Sequence, residues 1–156
     1  MTILFKSKHV PMLLSNPPSK TQTRRSWKRP KVRVSRTYWL STTMITRDGR
    51  FGKALVKRGW WEMLGDISAS DAVAEGYGSQ TAYIAAFAEI NRKKSEAVAI
   101  EKVYCLDLEM VAVVAGKKWC GSCGRQYAKA AEVSSCDGCG RAFFAVDTSH
   151  LKEVEV

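Results

Sequence analysis

The densest group of reactive and charged side chains lies early in the chain, in the segment 19–25, Ser-Lys-Thr-Gln-Thr-Arg-Arg. It places a lysine, two threonines and two arginines within the six residues 20–25. Arginine carries a planar, permanent positive charge that suits a phosphate group. A threonine hydroxyl becomes a nucleophile only when a neighbouring base activates it. The segment therefore indicates a pocket for a polyanion, and we expect the rest of the chain to shape that pocket.

Four of the five cysteines form a second group with a metal-ligand spacing, C-x2-C-x12-C-x2-C. Each Cys-x-x-Cys pair places two thiolates on one tight turn, and a glycine follows each pair. Two such turns make a tetrahedral four-thiolate site, which suits zinc and leaves no open position, so the metal would be structural. The four candidate ligands are Cys120, Cys123, Cys136 and Cys139.

The cysteine pairs have two alternative interpretations, a redox-active pair and an iron site, and the fifth cysteine is a separate case. A redox-active pair would not occur twice in a unit of roughly 30 residues that has no core of its own. Iron in a rubredoxin-like site uses the same ligands and stays open as a weaker alternative. The remaining cysteine, Cys105, lies in a hydrophobic alternation and is interpreted as a small core residue. Since the chain begins without a secretory signal, the pairs indicate metal rather than disulfides, and a cytoplasmic protein.

The net charge of +10 is concentrated in the first third of the chain. Residues 1–47 contain eleven Lys and Arg and no Asp or Glu, whereas the remaining residues carry 14 basic and 15 acidic groups. A local excess of positive charge favours binding to the phosphate backbone of a nucleic acid. A surface that is charged only for solubility would carry both positive and negative residues. Interleaved aromatic residues could stack on bases. We expect RNA or single-stranded nucleic acid to contact Arg24, Arg25, Trp27, Lys28, Arg29, Lys31, Arg33 and Arg36.

The pattern of the chain predicts which elements position these residues. A strand is expected at 2–6, a helical turn at 9–15, and an irregular or edge segment at 19–36 that is too polar to be core. Asp48-Gly49 is a hairpin signal between two β-prone runs. Ser68 and Ser79 are expected to cap helices at 69–75 and 80–93, followed by a polar loop at 93–96 and a β-prone run at 98–114.

The cysteine-rich tail is expected to begin at a hinge, Gly116-Lys117-Lys118. Within it, residues 126–133 and 141–146 are predicted to pair as strands. No apolar run is long enough to cross a membrane, so a membrane partner is not expected.

The order of the motifs resembles the ASCH domain. The segment 19–25 is followed by 64–68, Leu-Gly-Asp-Ile-Ser, by 71–79, Asp-Ala-Val-Ala-Glu-Gly-Tyr-Gly-Ser, by an aromatic-bearing helix and by a last strand at 102–108. The resemblance covers about residues 2–113. It implies an α+β fold, a small PUA-like β-barrel with flanking helices, to which a C-terminal four-cysteine zinc ribbon is added. We therefore divide the chain into an ASCH (PUA-like) domain, 1–115, and a zinc ribbon with a C-terminal tail, 116–156.

ASCH domains are linked to RNA binding and, in one bacterial branch, to hydrolysis of the acetyl amide of acetylcytidine. That branch uses a lysine and a threonine of a K-T-x-T-x-R motif with a glutamate from a later helix. The resemblance gives these catalytic roles to Lys20, Thr23 and Glu75, and the arginine of the motif falls on Arg25. Glu75 would act as general base, and Lys20 would orient the proton transfer or hold a developing oxyanion. Alternatively, Lys20 and Glu75 are a plain ion pair that closes the barrel.

Three hypotheses about function follow. The first is RNA binding on the basic face. The second is an amidohydrolase acting on a modified base or nucleoside such as acetylcytidine, although the chain departs from that branch in its zinc ribbon, its longer middle segment at 39–65 and its more basic first third. The third is an adaptor whose zinc ribbon contacts a protein partner. Salt dependence separates the first two, because phosphate contacts weaken steeply with salt.

Overall fold

β-Branched and aromatic runs form the strands, and serine-capped segments between them form the helices, in a mixed α+β fold as predicted. The computed structural model describes residues 1–156. The strands are β1 (Thr2–Leu4), β2 (Gln22–Arg25), β3 (Thr37–Ser41), β4 (Arg50–Met63), β5 (Lys102–Val114), β6 (Lys117–Trp119), β7 (Gln126–Ala128) and β8 (Lys152–Val154). The helices are α1 (Val10–Leu14), α2 (Ala69–Ala74), α3 (Gln80–Asn91) and α4 (Ser95–Ala99). Short 3-10 turns occupy Ser7–His9, Arg47–Gly49 and Leu64–Asp66.

Six strands form one mixed sheet in the hydrogen-bonded order β1-β3-β4-β5-β2, with β8 paired to β5. β3 and β4 are antiparallel, so the hairpin predicted at Asp48-Gly49 is present, with a 3-10 turn at its tip. β2 is antiparallel to β5, with Gln22 opposite Asp107 and Arg25 opposite Tyr104. Because β2 ends this order, the segment 19–36 supplies an edge strand.

The chain divides into two compact units. The first unit comprises Met1–Pro18, Thr37–Leu55 and Glu109–Val156, and the second comprises Ser19–Arg36 and Val56–Leu108. None of the helices has the length and apolar character that a membrane-spanning helix needs.

The core of the second unit gathers residues from α2, α3 and α4, from the segment 64–67 and from β5. Its buried members are Leu64, Ile67, Ala72, Tyr83, Phe87, Ala88, Val98, Val103 and Cys105. The two serine caps are confirmed: Ser68 Oγ accepts the N–H of Asp71 at 3.0 Å, and Ser79 Oγ accepts the N–H of Ala82 at 3.1 Å. Cys105 is fully buried, as its alternation predicted.

Two predictions in this region are wrong. Residues 95–99 form α4 rather than a loop and the start of a strand, because the helical turn places Val98 in the core; β5 begins only at Lys102. Residues 19–36 are not too polar to be core, since Lys20, Gln22, Thr23 and Arg24 are all buried. Their charges are balanced by carboxylates from later in the chain.

The tail pairs differently from the prediction. β7 is antiparallel to β6, with Trp119 opposite Gln126, instead of pairing along 141–146. The reason is local: the turn between β6 and β7 folds back on itself and brings its own flanks together. Residues 135 and 142, like 120 and 145, form only isolated bridges.

Candidate functional site

Lys20 and Glu75 meet in the interior of the second unit. Lys20 precedes β2 and Glu75 follows α2, and the Thr21 N–H donates to the Ala74 carbonyl at 2.8 Å, which ties the two segments together. The Lys20 ammonium lies 2.6 Å from Oε2 of Glu75 and donates to the backbone carbonyl of Glu75 at 2.7 Å. Their side chains are only 1% and 3% exposed. Burial lowers the pKa of Lys20, although the Glu75 carboxylate raises it in part.

Arg24 holds the other side of the same carboxylate. Its Nη1 donates to Oε1 of Glu75 at 3.1 Å and its Nε to Oε1 of Glu62 at 2.5 Å, while Nη2 lies 3.6 Å from Oδ2 of Asp71. Gln22 bridges the group, because it accepts from Arg24 at 3.1 Å and donates to Asp71 at 2.9 Å. Burial acts to lower the pKa of Arg24, but Glu62 and Glu75 together raise it above its ordinary value. Arg24 therefore stays charged.

Two aromatic rings enclose the Arg24 guanidinium. Its central carbon lies 6.0 Å from the ring centroid of Trp60 and 5.9 Å from that of Tyr83. The Trp60 indole N–H in turn donates to Oε2 of Glu62 at 2.9 Å. Burial, and then the Glu75 charge, raise the pKa of Tyr83, so this ring stays neutral. Arg24 is thus surrounded by the protein's own side chains and does not lie on an exposed basic face.

Thr23 is buried but does not join the Lys20–Glu75 pair. It lies between Gln22 and Arg24 on β2, opposite Leu106. Successive side chains of a strand alternate between its two faces, so Thr23 is on the face opposite Gln22 and Arg24. Of the three residues proposed for catalysis, the structure pairs Lys20 with Glu75, and Thr23 hydrogen-bonds to neither.

The other cations expected to contact nucleic acid lie on the surface. We call residues 26–36 the basic segment; it contains no acid, and its cations, Lys28, Arg29, Lys31, Arg33 and Arg36, are all exposed. Val32 is buried and anchors the middle of the segment. Its end is held on β4, because the Ser35 N–H donates to the Val56 carbonyl at 2.8 Å and the Val56 N–H to the Arg36 carbonyl at 3.0 Å. Arg25 is half-buried at the end of β2.

A cleft of about 400 Å³ opens where the basic segment begins, and we call it the aromatic cleft. Its lining residues are Ser26, Trp27, Lys28, Trp61, Lys93, Glu101 and Lys102. The Trp27 ring stacks on Tyr104, with 6.2 Å between centroids and 24° between planes. Trp61 packs edge-on against the same tyrosine at 5.0 Å. The tyrosine thus supports both tryptophans from inside the second unit.

Only some of the residues that line the aromatic cleft could be predicted from the sequence. Trp27 and Lys28 are among the predicted nucleic-acid contacts, whereas Trp61 is not. Lys93, Glu101 and Lys102 are not among the predicted site residues. They come from the ends of α3 and α4 and the start of β5, and no local pattern signals that these ends meet the basic segment.

The four paired cysteines of the first unit form one cluster. Their Sγ atoms all lie within 4.8 Å of one another, with 4.0 Å between Cys120 and Cys139 and 3.6 Å between Cys123 and Cys136. Around a tetrahedral zinc with bonds of about 2.3 Å, the sulfurs are about 3.8 Å apart. The cluster therefore has the dimensions of a four-thiolate metal site.

The two turns that carry these cysteines repeat each other. Gly124 donates to the Cys120 carbonyl at 2.8 Å, and Gly140 donates to the Cys136 carbonyl at 2.7 Å. Both glycines adopt positive φ values, 75° and 70°, which glycine accepts without steric cost. The Tyr127 hydroxyl donates to Sγ of Cys136 at 3.2 Å, so this candidate ligand already has a hydrogen-bonding partner.

Comparisons with known proteins bear on the fold. No protein-family model matches the chain, and no curated protein matches its sequence. A solved structure, protein EF3133 from Enterococcus faecalis V583, described as family DUF984, is similar with a TM-score of 0.53 and 14% identity, over 72% of this chain and 76% of that one. That protein has a PUA-like fold. At this identity the likeness concerns the fold alone.

Proposed function

We propose that the protein binds RNA or another single-stranded nucleic acid through the basic segment and the aromatic cleft. The observation that carries the proposal is the run of exposed cations without an acid, Lys28 to Arg36, which leads directly into a cleft lined by Trp27 and Trp61. Cations on such a track bind successive phosphates and release counterions. Bases stack on aromatic rings with a gain of about 1–3 kcal/mol each.

The arrangement of the cleft supports single strands rather than a duplex. Trp27 and Trp61 are each half-buried and are backed by Tyr104, so their positions are fixed before a ligand arrives. Only an unstacked base can lie against such a ring. Lys28 and Lys102 line the same cleft and would neutralise the phosphates on either side of a stacked base.

Binding of a short fluorescent oligouridine across a salt series tests this proposal. The triple variant Lys28→Ala, Arg29→Ala, Lys31→Ala should bind more weakly, and its log–log salt slope should be shallower by about 0.7 for each phosphate that it no longer neutralises. The control triple variant removes the same charge from exposed residues of the tail: Lys129→Ala, Arg141→Ala, Lys152→Ala. Equal affinities and slopes for the parent protein and the first variant would show that the basic segment is not the binding surface.

For the tail, we propose one structural zinc ion held by Cys120, Cys123, Cys136 and Cys139. The sulfur spacing and the repeated turns support a four-thiolate site, and zinc in such a site stabilises a small fold without taking part in chemistry. We retain the division at residues 115 and 116 as a proposal. Metal analysis of freshly purified protein should find about one zinc per chain; iron in its place would identify the rubredoxin-like alternative.

A second candidate function, amide hydrolysis on a modified nucleoside, is favoured by the Lys20–Glu75 contact of 2.6 Å in a buried site. A carboxylate and a lysine in that position could serve as base and oxyanion partner. Incubation of the protein with acetylcytidine, followed by detection of cytidine, tests it. Glu75→Gln should abolish turnover, whereas Glu96→Gln, at an exposed residue of α4, should not. No turnover by the parent protein would exclude acetylcytidine as a substrate.

A further inference from the structure

We infer that the aromatic cleft selects guanine among the bases of a bound strand, and that Glu101 reads the base; this inference rests on the nucleic-acid binding proposed above. The cleft contains two tryptophans, three lysines and a single carboxylate, Glu101. The tryptophans and lysines suit any nucleotide. The carboxylate does not, and it is the feature that discriminates.

A carboxylate inside a cleft for a polyanion needs a partner that donates hydrogen bonds. Next to phosphates it is repelled, and every wrong partner leaves its oxygens unpaired. Guanine presents two adjacent donors on its Watson–Crick edge, N1–H and the N2 amino group, which match the two carboxylate oxygens. Adenine places an acceptor at N1, and uracil and cytosine place acceptors beside their single donor group. Only guanine therefore satisfies both oxygens at once.

The backbone of Glu101 is fixed on both sides. Its N–H donates to the Val98 carbonyl at 3.0 Å, and its own carbonyl accepts the N–H of Leu64 at 2.9 Å. The side chain is 21% exposed, and one oxygen, Oε1, accepts from the Lys93 ammonium. The second oxygen, Oε2, has no hydrogen-bond partner within the protein. A fixed backbone with one free acceptor pointing from a half-buried side chain is what base reading requires.

Lys93 can leave this carboxylate when a nucleotide enters. Its side chain is 49% exposed and ends in the same cleft, so the ion pair with Glu101 is a weak surface pair. If the Lys93 ammonium turns from the Glu101 carboxylate toward an adjacent phosphate of the bound strand, it keeps an anionic partner. Guanine then takes both oxygens of Glu101 while it stacks on a tryptophan.

The test compares short oligouridines that carry one central guanosine, adenosine or cytidine, at fixed salt. The guanosine strand should bind about tenfold more tightly, the discrimination that a two-bond contact to a base edge provides. Inosine, which lacks the N2 amino group, should lose most of this gain. 7-Deazaguanosine keeps the same edge and should retain it.

Glu101→Gln should remove the preference for guanosine, because an amide offers only one acceptor. Glu96→Gln makes the same change of charge at an exposed residue of α4 and should keep the preference, so a general rise in affinity from the lost negative charge is separated from base reading. Thermal unfolding of both variants checks that they fold. Glu101→Asp provides a second variant that keeps the charge and withdraws the oxygens, and it too should lose the preference.

The outcomes distinguish the two proposals. Salt-dependent binding of all strands with equal affinity would overturn guanine selection and leave RNA binding in place. Absence of binding to every strand would overturn both. A preference for guanosine that persists in Glu101→Gln and Glu101→Asp would show that another residue reads the base.

Discussion

Lys20 donates to both the side chain and the backbone of Glu75, at 2.6 Å and 2.7 Å, inside the second unit. The double contact fixes the residue at the end of α2 as well as its carboxylate. Because Arg24 holds the other carboxylate oxygen at 3.1 Å, Glu75 is bound by two cations at once. Such an arrangement anchors a buried charge, and it is compatible with either of the two proposed functions.

Removal of one member of this pair should be costly. Lys20→Met leaves Glu75 with a buried charge that Arg24 alone must balance, so we expect a loss of about 3–5 kcal/mol in the free energy of unfolding. Lys93→Met breaks an exposed ion pair, with Glu101, and should cost no more than about 1 kcal/mol. Urea unfolding of both variants measures the difference, and similar losses would mean that the Lys20–Glu75 pair is not buried in solution.

The free energy of unfolding should depend on pH because of Lys20. Burial lowers its pKa below the ordinary lysine value, with Glu75 raising it in part. Between the folded and the ordinary pKa the unfolded chain binds more protons than the native protein, so stability rises with pH across that window. Lys20→Met should flatten this rise below about pH 10; Lys28→Met, which removes the same charge from an exposed position, is the matched control. Parallel profiles for the parent and Lys20→Met would contradict the shift.

Arg24 and Arg29 should separate stability from binding. Arg24→Met leaves three carboxylates without their shared cation, and we expect a loss of about 3–5 kcal/mol. Arg29→Met changes an exposed side chain, so it should leave stability within about 0.5 kcal/mol and weaken RNA binding. Unfolding and oligouridine binding, measured on both variants, give the comparison. If Arg24→Met is as stable as the parent protein, Arg24 is not a buried charge, and the prediction that it contacts nucleic acid on the surface would be favoured.

Features that depend on residues close together in the chain were predicted correctly from the sequence. The cysteine spacing, the serine caps and the hairpin at Asp48-Gly49 each depend on residues a few positions apart, and each is present in the structure. Cys105 followed from a simple alternation. The resemblance of the motif order to the ASCH domain also predicted a mixed α+β fold, which is present, and a solved structure with a PUA-like fold is similar to this chain.

Contacts between residues far apart in the chain could not be predicted from the sequence. The segment 19–36 is strongly basic, and nothing within it reveals that Glu62, Asp71 and Glu75 would balance Lys20 and Arg24 in the interior. Strand register also decided the place of Thr23, because alternation puts it on the face away from Gln22 and Arg24. Lys93 and Lys102 lie far from the basic segment in sequence, and the fold brings both into the lining of the same cleft.

Metal content should distinguish the cysteines by position. Cys123→Ala removes one of the four proposed zinc ligands, so zinc affinity and the folding of the tail should fall together. Cys105→Ala should leave zinc content unchanged, because its thiol is buried in the core of the second unit; it should cost only the stability lost with a small core side chain. Metal analysis after dialysis against a chelator measures both, and equal zinc loss in the two variants would contradict the assignment of ligands.

The two glycines that follow the cysteine pairs should respond differently to the same substitution. Gly124 and Gly140 have nearly the same backbone conformation, with φ of 75° and 70°, so alanine should strain each turn by about 1–2 kcal/mol. At Gly140 a Cβ atom would meet nothing within 4 Å, whereas at Gly124 it would lie 1.8 Å from the carbonyl oxygen of Ser7. That oxygen belongs to the backbone of a 3-10 turn and cannot rotate away, so the first turn must shift.

We therefore expect Gly124→Ala to lower the unfolding temperature of the zinc-loaded protein well beyond Gly140→Ala. The zinc content of Gly140→Ala should stay near that of the parent protein, because the turn can hold its two thiolates with modest strain. Gly140→Ala is the matched control, since it reports the backbone strain alone. Equal unfolding temperatures for the two variants would mean that the first cysteine turn does not pack on Ser7. A larger effect at Gly124 would show that the first cysteine turn packs closely on the backbone of Ser7.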